Sequence, residues 1–538
     1  MGPFFLRPFW LPRTPYSLDI TTITYSQISI SKFFASKMPI DSNFRNEQLA
    51  GETNLGASSQ EIDALLAPIL DQGATRDQIP ELLRSSWAHL QDLRETLTTI
   101  STVGEAIPSL HLDQAISLTA ADALDLSGIG TAVQSCLADP ANQQLEKSIQ
   151  ANLLYALSLA ALLSQSYRDG ARYLEQASEL CESHPQDRWR YENARAQALT
   201  DLGREFLDNQ ALTEAVDLFE SSVLPLVDKE KDSHQWAISK TRHGVALGIL
   251  GQRQKGTKML EQAICSFHEV IDACDSESES LEWATAQNSL GNALGILAHR
   301  QNDLEMLESA ANAFESALSV RSQETCPWDW AASQNNLGAV LQSLGQRKND
   351  TQLLKRSVDC YKLVLLAWTR DRAPLHWATT FNNLGTALRA LGEKRKGPRT
   401  LEQAVAAYRN AIAERTRERV PQQWAMTQND LGTALQKLGE RTEDIKFFNE
   451  AINAYQSALL EWTQEKSPMT WAMTAANLAI AQKSLAERLG DAGTAGLALS
   501  SFEAVAEVFR SASHARYYQF ATEQIAKTRT LLDSLAAS

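Results

Sequence analysis

The apolar positions of this chain fall into one phrase that recurs. From Trp377 the residues Trp377, Phe381, Leu384, Leu388 and Leu391 step by four, three, four and three. That is one stripe of an α-helix, predicted to run from about Trp377 to Leu391. Leu391-Gly392 is read as its close, since glycine commonly ends helices. A polar, basic stretch follows, GEKRKGPR. A second stripe, Leu401, Ala404, Val405, Tyr408 and Ile412, predicts a helix over about Thr400–Arg415. Pro421 stands three residues before Trp424, and Pro327, Pro374 and Pro468 hold the same place, where a proline fits just outside a helix start.

The phrase has a fixed period. Trp189, Trp236, Trp283, Trp330, Trp377, Trp424 and Trp471 each lie 47 residues after the one before, and Tyr518 continues the series. A second aromatic series follows each tryptophan by 31 residues: Phe267, Phe314, Tyr361, Tyr408, Tyr455 and Phe502. Phe219, one residue early, and Tyr173 extend it upstream. Such a period is the signature of a solenoid and takes precedence over local motifs. The expected fold is therefore all-α: an α-solenoid of helix A/helix B pairs over residues 142–538. Its first unit (142–188) and last unit (from Tyr518) are degenerate, as terminal units are.

Gly244, Gly291, Gly338, Gly385 and Gly432 sit inside helix A, where each costs about 0.5–1 kcal/mol relative to alanine. The expected offset is a close approach by the aromatic of helix B. The tryptophans, Trp236, Trp283, Trp330, Trp377, Trp424 and Trp471 among them, are expected to be structural wedges between units. Full burial of about 200 Å² at about 25 cal/mol per Å² would give each roughly 5 kcal/mol as an upper figure.

Upstream of the array the text changes. Residues 1–37 are rich in aromatics, Ser and Thr, carry one acid (Asp19) and show no helical period. They read as a disordered leader, a transit peptide, or sequence ahead of a start at Met38, and lack the pattern of a secretory signal. Residues 41–60 are polar, so 1–60 is taken as leader and linker. From Glu61 to Ala141 come helical stretches without the period. Leu82, Leu83, Trp87, Leu90 and Leu93 form one apolar face there, and 61–141 is read as a helical cap or adaptor.

A net charge of −15 argues against a general nucleic-acid binder and against docking on anionic lipid by bulk charge. No apolar run approaches the ~18 residues of a membrane span; the longest, from Asn152, reads as a buried helix. The six cysteines include no CxxC pair and read as free thiols in a reducing, cytoplasmic setting. Oligomeric state is not legible.

Three features together resemble the tetratricopeptide-repeat family. They are Asn-Leu-Gly followed by Ala-Leu (NNLGTAL from Asn382), the helix-B pattern of Ala404, Tyr408 and Ala411, and the terminal proline. The unit here is longer than the usual one, with enlarged loops and a Trp-Ala at its head. The resemblance implies a right-handed superhelix of helical hairpins whose A helices line a concave groove. It implies a binding scaffold and leaves the ligand open.

Catalytic motifs are not evident. GQRQKGTK from Gly251 imitates a phosphate loop, but its last two residues are inverted and no strand precedes it. His243, His268 and His376 occupy unrelated repeat positions, and no residue set calls for a metal or other cofactor. The informative polar residues are Asn288, Asn335, Asn382 and Asn429, five residues after each tryptophan, with Asn336, Asn383, Asp430 and Asn477 next to their positions. Asn is a poor interior helix residue, so the column calls for a cause. It is either a ladder of amides for the main chain of an extended peptide or a set of bonds that hold successive units together. Gln342, Arg389 and Gln436 are further groove candidates. The carboxylate clamp of the family needs a Lys four residues before the second position, and Thr285, Ala332, Thr379 and Met426 stand there instead.

The expected function is a non-catalytic scaffold that binds an extended segment of another protein, with neither nucleic acid nor membrane insertion. One alternative is a regulatory arm acting on a separate effector enzyme through 61–141. A second is an enzyme with its site in 61–141.

Overall fold

The computed structural model describes residues 57, 59–71, 79–103, 109–120, 124–139, 146–274 and 280–537. The expectations for 1–56 lie outside them. Among the described residues there are helices and connecting turns but no strand, in agreement with the all-α expectation. No helix among them is long and apolar enough to cross a membrane.

Among the described residues, four helices precede the array: α1 (Ser59–Asp71), α2 (Ile79–Val103), α3 (Ser109–Ser117) and α4 (Leu126–Ala138). Eight A/B pairs follow. The first four are α5/α6 (Lys147–Leu163, Tyr167–Leu180), α7/α8 (Pro185–Phe206, Asn209–Leu218), α9/α10 (Ser233–Arg253, Lys258–Ala273) and α11/α12 (Ser280–Gln301, Leu304–Val320). Then come α13/α14 (Pro327–Lys348, Thr351–Ala367), α15/α16 (Pro374–Lys394, Arg399–Glu414), α17/α18 (Pro421–Thr442, Ile445–Leu459) and α19/α20 (Pro468–Leu489, Ala492–Ser511). A single helix, α21 (Ala515–Ala537), closes the chain. There are two compact units. One runs to Val340 and includes Asp371–Ala373; the other takes Leu341–Arg370 and the chain from Pro374 on.

In the first unit, the apolar face of α2 (Leu82, Leu83, Leu90, Leu93) joins Leu153, Ala156 and Leu157 of α5 and Tyr191 of α7 in one continuous core. Trp87 packs against it half-buried. Helix α5 is buried almost all round, from Tyr155 to Ala160 without a break. That is the signature of an interior helix rather than of a terminal one.

Within the pairs the glycine reading has a direct geometric cause. A Cβ built on Gly385 would stand 2.9 Å from the Tyr408 ring, and one on Gly432 2.8 Å from Tyr455. Gly244 meets Phe267 and Gly291 meets Phe314 in the same way in the first unit, at 2.7 and 2.8 Å. Tyr408 is fully buried and donates its hydroxyl to Thr386 Oγ1 at 3.0 Å.

Several local expectations are corrected. Helix A starts at the proline, not at the tryptophan: Pro374 and Pro421 are its first residues. There the missing N–H is one the first turn would leave unpaired anyway. Gly392 does not end its helix, which runs to Lys394; the glycine instead makes room for Leu401, 2.9 Å from where its Cβ would be. The tryptophans are less buried than expected. Trp236 and Trp330 are buried, but Trp283, Trp377, Trp424 and Trp471 are half-buried. Each sits in the first turn of helix A. Trp377 packs edge-on against Phe381 with centroids 4.5 Å apart. Cations sit over several of these rings: Arg370 over Trp377 at 5.6 Å, Arg417 over Trp424 at 5.9 Å and Lys229 over Trp236 at 4.9 Å.

The early Phe219 has an account too. The turn between α7 and α8 is only Leu207–Asp208, and α8 passes into a π-helical stretch, Phe219–Val223. The π-bulge inserts one residue. Helix B thus returns to register at its end, where Val227 stands 38 residues after Trp189, as Cys274 does after Trp236.

Candidate interaction surface

The amide column does not behave as one set. Asn335, Asn336, Asn382 and Asn383 are buried, while Asn288 and Asn429 are half-buried. Where partners are seen within a unit, the column bridges consecutive A helices. Ser333 Oγ donates to Asn288 Oδ1 at 3.0 Å, and Asn336 Nδ2 donates to Asn292 Oδ1 at 3.1 Å. In the second unit Asn477 Nδ2 donates to Asn429 Oδ1 at 3.3 Å. These side chains therefore link neighbouring repeats, and Asn288 and Asn429 remain partly reachable from outside.

The other groove candidates are engaged. Arg389 is buried and donates to Glu393 Oε1 at 2.5 Å. Burial works against its charge, but Glu393, Tyr408 and Asp430 outweigh it and hold the guanidinium firmly protonated. Gln436 is buried; it donates to Glu440 Oε1 at 2.9 Å and accepts from the Tyr455 hydroxyl at 3.3 Å. Gln342 is buried as well. Arg389 and Gln436 thus serve helix-to-helix packing inside the repeats.

Two sets of arginines escaped the sequence reading. At the end of helix B, 38 residues after the tryptophan, stand Val227, Cys274, Arg321, Trp368, Arg415 and Trp462. Arg321 is buried and donates to Thr285 Oγ1 (3.1 Å) and to Ser333 Oγ (3.0 Å), on consecutive A helices. Arg415 repeats the arrangement in the second unit with Thr379 (2.8 Å) and Thr427 (3.1 Å). Each guanidinium also lies at a helix C-terminus, where the macrodipole favours a cation. The second set ends helix A. Arg300 donates to the carbonyls of Gln252 and Gly256, both at 2.7 Å, and Arg253 to that of Arg204 at 3.2 Å. Arg441 donates to the Arg395 carbonyl in the second unit. The loop that imitates a phosphate site therefore gives its carbonyls to the next repeat's arginine.

His243 occupies the position held by Leu290, Leu337, Leu384, Leu431 and Leu478 in the following five pairs. Its Nε2 lies 3.2 Å from Glu220 Oε1 in the π-bulge, and its Nδ1 3.3 Å from Ser266 Oγ. The order of groups imitates a hydrolase triad, but Ser266 is buried. Burial lowers the His243 pKa below 6.5, and Lys240 adds to this, against the pull of Glu220 and Glu269. A base depressed in the folded state binds fewer protons there than when unfolded. Its contribution is full above about pH 6.5 and is lost as pH falls through the folded value. His243→Leu is therefore expected to reduce the drop in melting temperature between pH 7 and pH 5. An unchanged drop would show that His243 is not its source.

In the first unit, polar and charged groups of α2, α5, α7 and α9 interact. Tyr155 donates to Asp92 Oδ2 at 2.5 Å, and Gln165 Nε2 to Ser86 Oγ at 3.2 Å. The Arg84 guanidinium stacks on the Trp328 ring at 3.9 Å. Asp201 acts electrostatically on both His89 and Arg242, which are half-buried. Burial is the main influence on each and lowers both pKa values.

The tetratricopeptide-repeat family model matches residues 330–366 and 424–460. The two matches begin at Trp330 and Trp424, two periods apart. No curated protein matches the chain. Solved structures similar to it include a Rap protein complexed with competence and sporulation factor, at 12% identity and TM-score 0.32 over 83% of this chain and 99% of that one. Another is a human IFIT1 dimer with m7Gppp-AAAA, at 11% identity and TM-score 0.32 over 91% and 99%. A human IFIT1 dimer with PPP-AAAA aligns at 12% and 0.31 over 81% and 94%. These likenesses are too distant to carry over a ligand.

Proposed function

We propose that this chain, a tetratricopeptide-repeat protein, is a non-catalytic scaffold that binds an extended segment of a partner protein along its A helices. The observation that supports this is a register of polar side chains on successive A helices within each unit, with Asn288 partly exposed in the first and Asn429 in the second. An amide offers a donor and an acceptor to a peptide main chain.

The test is affinity capture on the full chain with mass spectrometry, repeated with Asn288→Ala/Asn429→Ala. At about 0.5–1.5 kcal/mol per hydrogen bond, the variant is expected to lose roughly 5- to 150-fold in affinity for the captured protein. Its melting temperature should move by only a few degrees. Full retention of the partner alongside a clear fall in melting temperature would make the column a link between repeats only.

A further inference from the structure

In the second unit a strap closes over the first turn of helix A in two consecutive pairs and is absent from the next. Seven residues before Trp377 and Trp424 stand Arg370 and Arg417, and 37 residues after those tryptophans stand Glu414 and Glu461. Each arginine lies over its tryptophan ring, at 5.6 and 5.9 Å, and pairs with its glutamate through Nε, at 2.7 and 2.6 Å. The strap thus joins the loop ahead of helix A to the end of helix B. In the α19/α20 pair the same two positions hold Gln464 and Val508, which cannot form it. They instead line an open cavity of about 360 Å³, together with Pro468, Met469 and Glu507. Trp471 is half-buried there, as Trp377 and Trp424 are in their pairs.

We propose that this cavity binds an arginine side chain of a partner protein, which takes the place that Arg370 and Arg417 fill in the two preceding pairs. The stem lies along Met469 and Val508, and the guanidinium reaches the Trp471 ring and the Glu507 carboxylate. The chain's own pairs identify the occupant. The tryptophan is kept, a carboxylate stands one residue from its former position, and the cation alone is replaced, by Gln464. Arg510 holds Glu507 at 2.6 Å across one helical turn, but both side chains are exposed. Such a pair contributes little, so an incoming guanidinium can displace it. The net charge of −15 favours the approach of a cationic segment. The site uses none of the residues of the amide column and does not rest on it.

The test selects random displayed peptides on the full chain, after clearing them on Gln464→Arg/Val508→Glu, which rebuilds the strap and fills the cavity. The melting temperature of that variant should hold or rise. Selected peptides are expected to share one arginine, and changing it to Gln should weaken a synthetic copy about tenfold or more. Glu507→Gln should weaken binding about 3- to 10-fold. Arg510→Gln should strengthen it, because the competing cation is removed, and Asn429→Ala should leave it unchanged. Peptides enriched without an arginine, or no enrichment at all, overturn the proposal. So does a peptide whose binding falls with Asn429→Ala and not with Glu507→Gln, since it belongs to the A-helix face. Free arginine binding as tightly as the peptide assigns the cavity to a small molecule and overturns the partner reading. If the double variant melts several degrees lower, the clearing step uses Ser511→Trp, which fills the cavity from its exposed rim, and the same outcomes decide.

Discussion

A chain that starts at residue 142 is expected to lose the stability of its first helix pairs, even though the repeat period begins there. Helix α5 is buried on nearly every side, and its Leu153, Ala156 and Leu157 belong to the core that also holds Leu82, Leu83, Leu90, Leu93 and Leu97 of α2. Removing the segment ahead of it uncovers an interior helix. At about 1.5–3 kcal/mol for each large apolar side chain returned to water, a few such residues rival the whole stability of an ordinary domain, about 5–15 kcal/mol. Because a solenoid is a sum of nearest-neighbour terms, the loss should stay at that end. Thermal melting of 142–538 should show an added transition at lower temperature. Hydrogen exchange should find α5 and α6 unprotected while α15 and α16 stay protected. A single transition at the full-length temperature would show that the shared core contributes little. The same geometry means that deleting 1–140 does not cleanly separate a scaffold from a regulatory arm, since it also damages the array.

The second large effect concerns which tryptophan matters. Trp368 is 2% exposed, the largest fully buried side chain among the described residues, and packs edge-on against His376 at 4.8 Å. Trp368→Ala should cost about 3–5 kcal/mol, the range for emptying a large aromatic site. Trp377 belongs to the periodic series but is half-buried under Arg370. Trp377→Ala should therefore cost roughly half as much, about 1.5–2.5 kcal/mol. Denaturant unfolding of both variants, with iodide quenching of the remaining fluorescence, measures the difference. Equal costs, or a larger one at Trp377, would mean that periodicity rather than burial sets the contribution.

This ranking shows where the sequence stops being legible. Trp368 and Arg321 share one repeat position with Val227 and Cys274. Nothing in their spacing indicates that a guanidinium there reaches hydroxyls on two successive helices. The Asn column was visible from its phase, yet its division into buried amides and partly exposed ones was not. Arg195 and Arg242 stand at equivalent positions of the repeat; only the folded chain brings Glu175 and Glu192 to Arg195.

The sequence by itself determined the 47-residue period, the two helices of each unit and the closeness of glycine to aromatic. These are legible because each depends on residues near one another in the chain and is written several times over. The tertiary structure alone decided the burial of α5 beneath α2, the exposure of the tryptophan series, the arginine links between repeats and the pairing of Arg195 with Glu175 and Glu192. Burial and pairing are properties of what an element faces after the chain has folded. That neighbour comes from a different helix, often tens of residues away, whose identity the local pattern does not carry.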